Sequence, residues 1–339
     1  QAQQEKRVLE NTLDTFHVQL QRFQTNADDQ LTRAQSFVNV RLMAALEYAG
    51  TGVGSKSGAT DSGSLNRTET NEAASISVEE INHAVSELAA SLDAWRWRDE
   101  EGNPEFRGIT FDDLGVGGTM MSTNLLTGTI SIGSEPVKVG STQLQEHYFC
   151  PKDELQGAFL AIRNRQPLSF DHEVAIESLY HEINHNRQKG ALELYLTLEA
   201  QATYEGIPPR NISKFINERP ELILMETINE FVSRKDYPEF LRGLGGEKVS
   251  HAQDVMNHGY GYPMYIDRFR ELARRLDVPE DMLFTKCREL NFYGNLVRAA
   301  DDLSAWLAMQ SWKDRDDIRD ALLNLKFRGD FSPFLDVIE

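Results

Sequence analysis

The chain has 339 residues, enough for one large domain or two modest ones with a full hydrophobic core, so it needs no disulfide or metal staple to fold. Its formal charge of −18 and lack of a Lys/Arg cluster exclude a phosphate-neutralising surface, which argues against nucleic acid or anionic membranes as partners and for a soluble protein. Two cysteines, Cys150 and Cys287, are too few for a disulfide framework or a thiolate zinc site.

Residues 1–49 read as one long helix. Leu9, Leu13, Phe16, Leu20, Phe23, Ala27, Leu31, Ala34 and Val38 alternate by fours and threes, a heptad seam. About forty-five helical residues would extend roughly 65 Å, too far to pack wholly on one small domain, so the seam is expected to meet another helix, of this chain or of a second copy. The chain starts at Gln1 rather than Met, which reads as a processed product or a piece of a longer protein. The first residues lack the apolar run of a signal peptide. Residues 50–75, rich in Gly, Ser, Thr and Asn, read as a flexible linker.

A third segment, 76–339, carries the folded domain. It opens at Ser77-Val78-Glu79-Glu80, a capping box heading a helix that runs to about Trp95. Ile109-Thr110-Phe111 and the stretch from Thr119 to Gly133 read as strands, the latter containing a turn before an alternating segment. From Asp171 onward the pattern is mostly helical, including 221–234, 266–276, 279–290 and 296–310. The expected fold class is α+β, mostly helical, with a small antiparallel-containing sheet ahead of one helix of special interest.

That helix, 174–187, contains His181-Glu182-Ile183-Asn184-His185. An H-E-x-x-H run on a helix is a zinc-hydrolase signature, because residues four apart share a face and both imidazoles reach one ion, with the glutamate beside it. Ser169 or Asp171 would cap the helix, and Val174, Ile176, Leu179, Tyr180 and Ile183 would anchor it. The polar run Asn186-Arg187-Gln188 predicts that the following turn is solvated or faces a partner. Zn²⁺ is the expected cofactor. A catalytic zinc needs a third protein ligand and an open position for water, and Gln188 and Ala191 stand where a metzincin would continue its motif.

Met225-Glu226-Thr227-Ile228-Asn229-Glu230-Phe231-Val232-Ser233-Arg234, some forty positions downstream, offers that ligand. With these two segments the chain resembles the gluzincin peptidases, the group of thermolysin-like enzymes and zinc aminopeptidases, in pairing H-E-x-x-H with a glutamate on a later helix. The resemblance covers about 130 to 160 central residues and is specific only at the two helices. An aminopeptidase-like alignment makes Glu226 the ligand, followed five positions on by Phe231. A thermolysin-like alignment makes it Glu230, between Asn229 and Ser233, although Arg234 stands where that pattern has an aspartate. Glu226 is the preferred ligand and Glu230 an acceptor for a histidine ring, both lying on one helix face.

The resemblance implies a zincin-like domain that hydrolyses a peptide or protein amide bond, with Glu182 as general base. It also implies a second donor for the developing oxyanion, sought in His258-Gly259-Tyr260-Gly261-Tyr262, in the order Tyr260, His258, Tyr262. The small sheet would offer either an edge strand to an extended substrate or a purely structural hairpin. Two other classes fit the long N-terminal arm. One is a structural component of a virion or secreted assembly, oligomerised by the arm and carrying an auxiliary or inactive zincin-like domain. The other is a toxin or effector peptidase released from a longer chain.

Overall fold

The computed structural model of the chain describes residues 76–89, 107–114, 120–141, 146–188 and 190–338. The long helix read over 1–49 and the linker over 50–75 lie outside the described residues. Among the described residues the first helix, α1 (Val78–Ala89), starts at the anticipated capping box: Ser77 N–H donates to Glu80 Oε2 at 2.8 Å, and Glu80 N–H to Ser77 Oγ at 3.2 Å.

Three strands come next, β1 (Gly108–Asp112), β2 (Met121–Thr123) and β3 (Thr129–Gly133), in the order β1-β3-β2. β1 runs parallel to β3, and β2 antiparallel to it. Among the described residues β2 is therefore an edge strand. The turn joining β2 to β3 is set by Asn124, whose side chain accepts from Leu126 N–H and Thr127 N–H, and by Gly128 at φ +75°, a left-handed position that glycine tolerates without strain. A separate hairpin pairs β4 (Val137–Ser141) with β5 (Glu146–Phe149).

The rest is helical: α2 (Pro151–Arg163), α3 (Phe170–Arg187), α4 (Ala191–Tyr204), α5 (Pro209–Asn217), α6 (Pro220–Gly243), α7 (Ala252–His258), α8 (Pro263–Arg275), α9 (Glu280–Tyr293), α10 (Ala299–Ser311), α11 (Arg315–Leu323) and α12 (Ser332–Asp336). Helix α2 begins twenty residues before the point at which the sequence pattern turned helical. The fold is α+β and mostly helical. Among the described residues no helix is long and apolar enough to cross a membrane.

Two hydrophobic cores flank the centre. One joins the three-stranded sheet to α1, α2, the apolar face of α3 and the second half of α6, through Ile130, Ile132, Leu155, Ile176, Leu179 and Phe240. The other gathers α4 and α8 to α11 around the first half of α6, through Ile228, Phe231, Phe269, Leu290 and Leu303. Fully burying one such side chain is worth about 1.5–3 kcal/mol, so each core is ample to fix its elements. Helix α6 belongs to both cores, and α3 packs along it. Their polar faces meet between the cores.

Candidate metal centre

Helix α3 is capped by Ser169, whose Oγ accepts from His172 N–H at 3.1 Å while the His172 ring returns toward Ser169 N–H. Asp171 and Glu173 sit in its first turn and His185 and Arg187 in its last, the arrangement that suits the helix dipole. Every residue from Glu173 through Gln188 is buried. That includes Asn186, Arg187 and Gln188, so the expectation of a solvated or partner-facing turn after the motif is overturned. Arg187 donates to Tyr180 Oη and Asn184 Oδ1 and lies 4.2 Å over the Phe292 ring, and Asn186 donates to the Gly128 carbonyl. The turn is inside because the partners of these residues are inside.

On α3 and α6, two ring nitrogens and a carboxylate oxygen converge. His181 Nε2 lies 3.0 Å from His185 Nε2, Glu226 Oε2 lies 3.3 Å from the first, and Glu226 Oε2 lies 3.2 Å from the second. A tetrahedral ion with bonds of about 2.0–2.1 Å sets its ligands about 3.3–3.4 Å apart, so the triangle is close to one face of a zinc site. Glu226 is the carboxylate that faces both ring nitrogens. Glu230, one turn on, lies with Oε2 2.9 Å from His181 Nδ1, off the line of a well-formed hydrogen bond. Its other oxygen accepts from Arg234 Nε at 2.7 Å.

Electrostatics match a cation. Burial alone would raise the Glu226 carboxyl, but His185 and His181 hold it well below the usual range. Burial alone would lower His181, but Glu226 and Glu230 raise it well above 6.5, and Glu226 likewise raises His185 against its burial. Burial would also raise Glu230, which Arg234 and then His181 keep low. Glu177, one turn before His181, has neither oxygen hydrogen-bonded; burial and then the charge of Glu230 push it up, which favours its neutral acid.

Glu182 stands beside the triangle, with a carboxylate oxygen within 4.8 Å of ring nitrogens of both histidines. Thr123 of the edge strand β2 places its hydroxyl 2.7 Å from Glu182 Oε2. Together with the Asn186 to Gly128 bond, this contact docks the end of the sheet on the motif.

The loop after α7 wraps Arg234, whose guanidinium donates to the carbonyls of Met256, Gly259 and Gly261 as well as to Glu230. A Cβ on Gly261 would stand 2.7 Å from Glu230 Oε1, and one on Gly259 2.9 Å from Arg234 Cζ, so only glycine lets the chain pass this close. The loop delivers Tyr262, not Tyr260, to the histidines. Tyr262, held at φ +46° just before Pro263, stacks on His181 with ring centroids 6.0 Å apart. Burial, and then Glu226, Glu182 and Glu230, raise its phenol well above the usual range; with 38 % of the residue exposed, the carboxylates are the firmer cause.

Tyr260 instead donates to Asp171 Oδ1 at 2.5 Å and lies 2.8 Å from His147 Nε2. Asp171 precedes His181 by ten residues of the same helix, about 15 Å, so the Tyr260 hydroxyl is far from the triangle. His258 is exposed at the end of α7, with no hydrogen bond or ion pair to the triangle.

Two buried residues outside the two motif segments complete the surroundings. Gln188 Oε1 lies 2.7 Å from His185 Nδ1, and Asn291 of α9 links Gln188 to Asn229. A polar residue three positions after the second histidine of the motif was the available signal for Gln188; nothing local marks Asn291. No protein-family model matches the chain, and neither a curated protein nor a solved structure matches it.

Proposed function

We propose that this chain is a zinc-dependent peptidase of gluzincin type, with a zincin-like domain over residues 76–339. His181, His185 and Glu226 would hold the ion, and Glu230 would orient His181. The observation that carries this reading is the triangle of Nε2, Nε2 and Oε2 at 3.0–3.3 Å, its two histidines buried and Glu226 half-buried, with Glu182 beside it. When bound, zinc supplies Lewis acidity, polarising the amide carbonyl and lowering the pKa of water toward about 7.

The chain's own residues do the rest. Glu182 takes a proton from the attacking water and passes it to the departing nitrogen. Its Oε2, held by the Thr123 hydroxyl, keeps one orientation through both transfers. Tyr262, whose phenol stays protonated, donates a hydrogen bond to the oxygen that becomes negative. The edge of β2 left unpaired among the described residues would add an extended peptide as a further strand, setting the substrate backbone across Glu182.

Elemental analysis of the full chain together with Glu182→Gln tests the proposal. The expected result is close to one zinc per chain in both proteins, with peptide-library cleavage reduced about 10²–10⁴-fold in the variant. Purified wild-type chain that takes up no zinc from excess metal overturns the metal reading. Zinc uptake with no cleavage by the wild type against any peptide overturns the peptidase.

A further inference from the structure

Four buried polar groups form a chain whose direction can be read from one end. Asn229 Nδ2 donates to the main-chain carbonyl of His181 at 3.0 Å. A carbonyl only accepts, so the Asn229 group facing it must be the NH₂, and Asn229 Oδ1 must point the other way. There it accepts from Asn291 Nδ2 at 3.0 Å, which turns Asn291 Oδ1 toward Gln188 Nε2 at 2.5 Å. Gln188 Oε1 is then the atom left to meet His185 Nδ1, at 2.7 Å. Asn229 and Asn291 are fully buried and Gln188 nearly so, and flipping any one amide would set acceptor against acceptor or donor against donor at one of its junctions, for Gln188 its Oε1 against Asn291 Oδ1.

We infer that Gln188, Asn291 and Asn229 form an amide relay that fixes the tautomer of His185, placing its proton on Nδ1 and its lone pair on Nε2, toward Glu226 and His181. These are positioning residues: none touches the three converging atoms. The two histidines are oriented by different devices. His181 faces a carboxylate, Glu230, itself held by Arg234. His185 is served by neutral amides, so its orientation adds no further carboxylate to Glu182, Glu226 and Glu230. The relay also begins at the backbone of His181 and ends at the ring of His185, tying the two ligands through α6 and α9. Its effect on metal affinity rests on the zinc reading; the tautomer does not.

Nitrogen-15 NMR of the full chain, histidine-labelled and metal-free, above the titration of His185, reads the tautomer directly. The wild type is expected to show a protonated Nδ1 and an unprotonated Nε2 at His185, and the opposite tautomer overturns the inference. Asn291→Leu, similar in size and unable to donate or accept, is expected to lose this preference and to bind zinc about 10–100-fold more weakly in chelator competition. Adding Gln188→Glu to that variant is expected to restore affinity to within a few-fold, because a carboxylate accepts from Nδ1–H without the relay. Unchanged tautomer and affinity in a folded Asn291→Leu, or no rescue in a folded double variant, overturns the relay. Wild-type protein that binds no zinc but shows the Nδ1–H tautomer sinks the peptidase and leaves the relay standing.

Discussion

Helices α3 and α8 obey opposite rules. In α8 the apolar residues Ile266, Phe269, Leu272 and Ala273 are buried while Met264, Asp267 and Arg274 face water, so the helix is an ordinary amphipathic one. In α3 burial runs around the whole helix and takes in Glu173, Glu177, His181, Glu182, Asn184, His185, Asn186 and Arg187. Burying such groups is unfavourable unless each finds a partner. Most do: Glu173 accepts from Tyr237 Oη and from Ser250 N–H, Asn184 donates to Ser233, and His185 meets Gln188. The α8 pattern explains a fold. The α3 pattern, costly for stability alone, is the ground for proposing a site there.

Removing a member of the triangle should separate the two helices most sharply. His185→Ala or Glu226→Ala is expected to abolish stoichiometric zinc in elemental analysis, while Asp267→Asn on α8 leaves it unchanged; retained zinc in both triangle variants would discard the ligand set. Next comes Arg234→Met, which strands the Glu230 carboxylate. Breaking a buried pair in this way costs about 3–5 kcal/mol, to be read by urea unfolding. Arg274→Met, at an exposed pair with Glu271, should leave the urea midpoint where it was.

Two tyrosines of one loop sharpen the comparison further. Tyr262→Phe should lower kcat about 10²-fold with zinc retained, whereas Tyr260→Phe, whose hydroxyl is engaged at Asp171, should leave kcat near wild type. The reverse ranking in steady-state kinetics would move the oxyanion donor.

The gentlest contrast is with pH. On the zinc reading, the protons that neighbouring carboxylates hold on His181 and His185, raised above 6.5, compete with the metal near neutrality, and affinity should fall as pH drops through that range. Metal-free protein should respond with the opposite sign. A histidine whose folded pKa is raised stabilises the fold below its unfolded value and loses that contribution as pH rises through the folded one. Melting curves of loaded and metal-free protein over pH 5–9 should therefore diverge on the alkaline side, and parallel curves would refute the coupling.

Much of the fold and the site is legible in the residue pattern. Both capping segments, the strands around Ile109 and Ile130, and most later helices arise from local pattern. The residues His181, Glu182, His185, Glu226 and Glu230 stand out because two helical segments each place chemistry at four-residue spacing. The burial of Asn186-Arg187-Gln188 does not. Polar side chains read as solvated unless their partners are known, and those partners, Gly128, Phe292 and Asn291, are distant in sequence.

The sequence by itself determined the consequences of spacing along one helix: that two imidazoles and a carboxylate share α3, and that two glutamates share a face of α6. Only the tertiary structure decided which glutamate meets both ring nitrogens, because that depends on how α3 and α6 pack between two cores. It also decided between Tyr262 and Tyr260, since the buried Arg234 gathers the loop's carbonyls and so sets which ring is turned inward. Helical periodicity is a property of neighbours in the chain; convergence at a point is a property of packing.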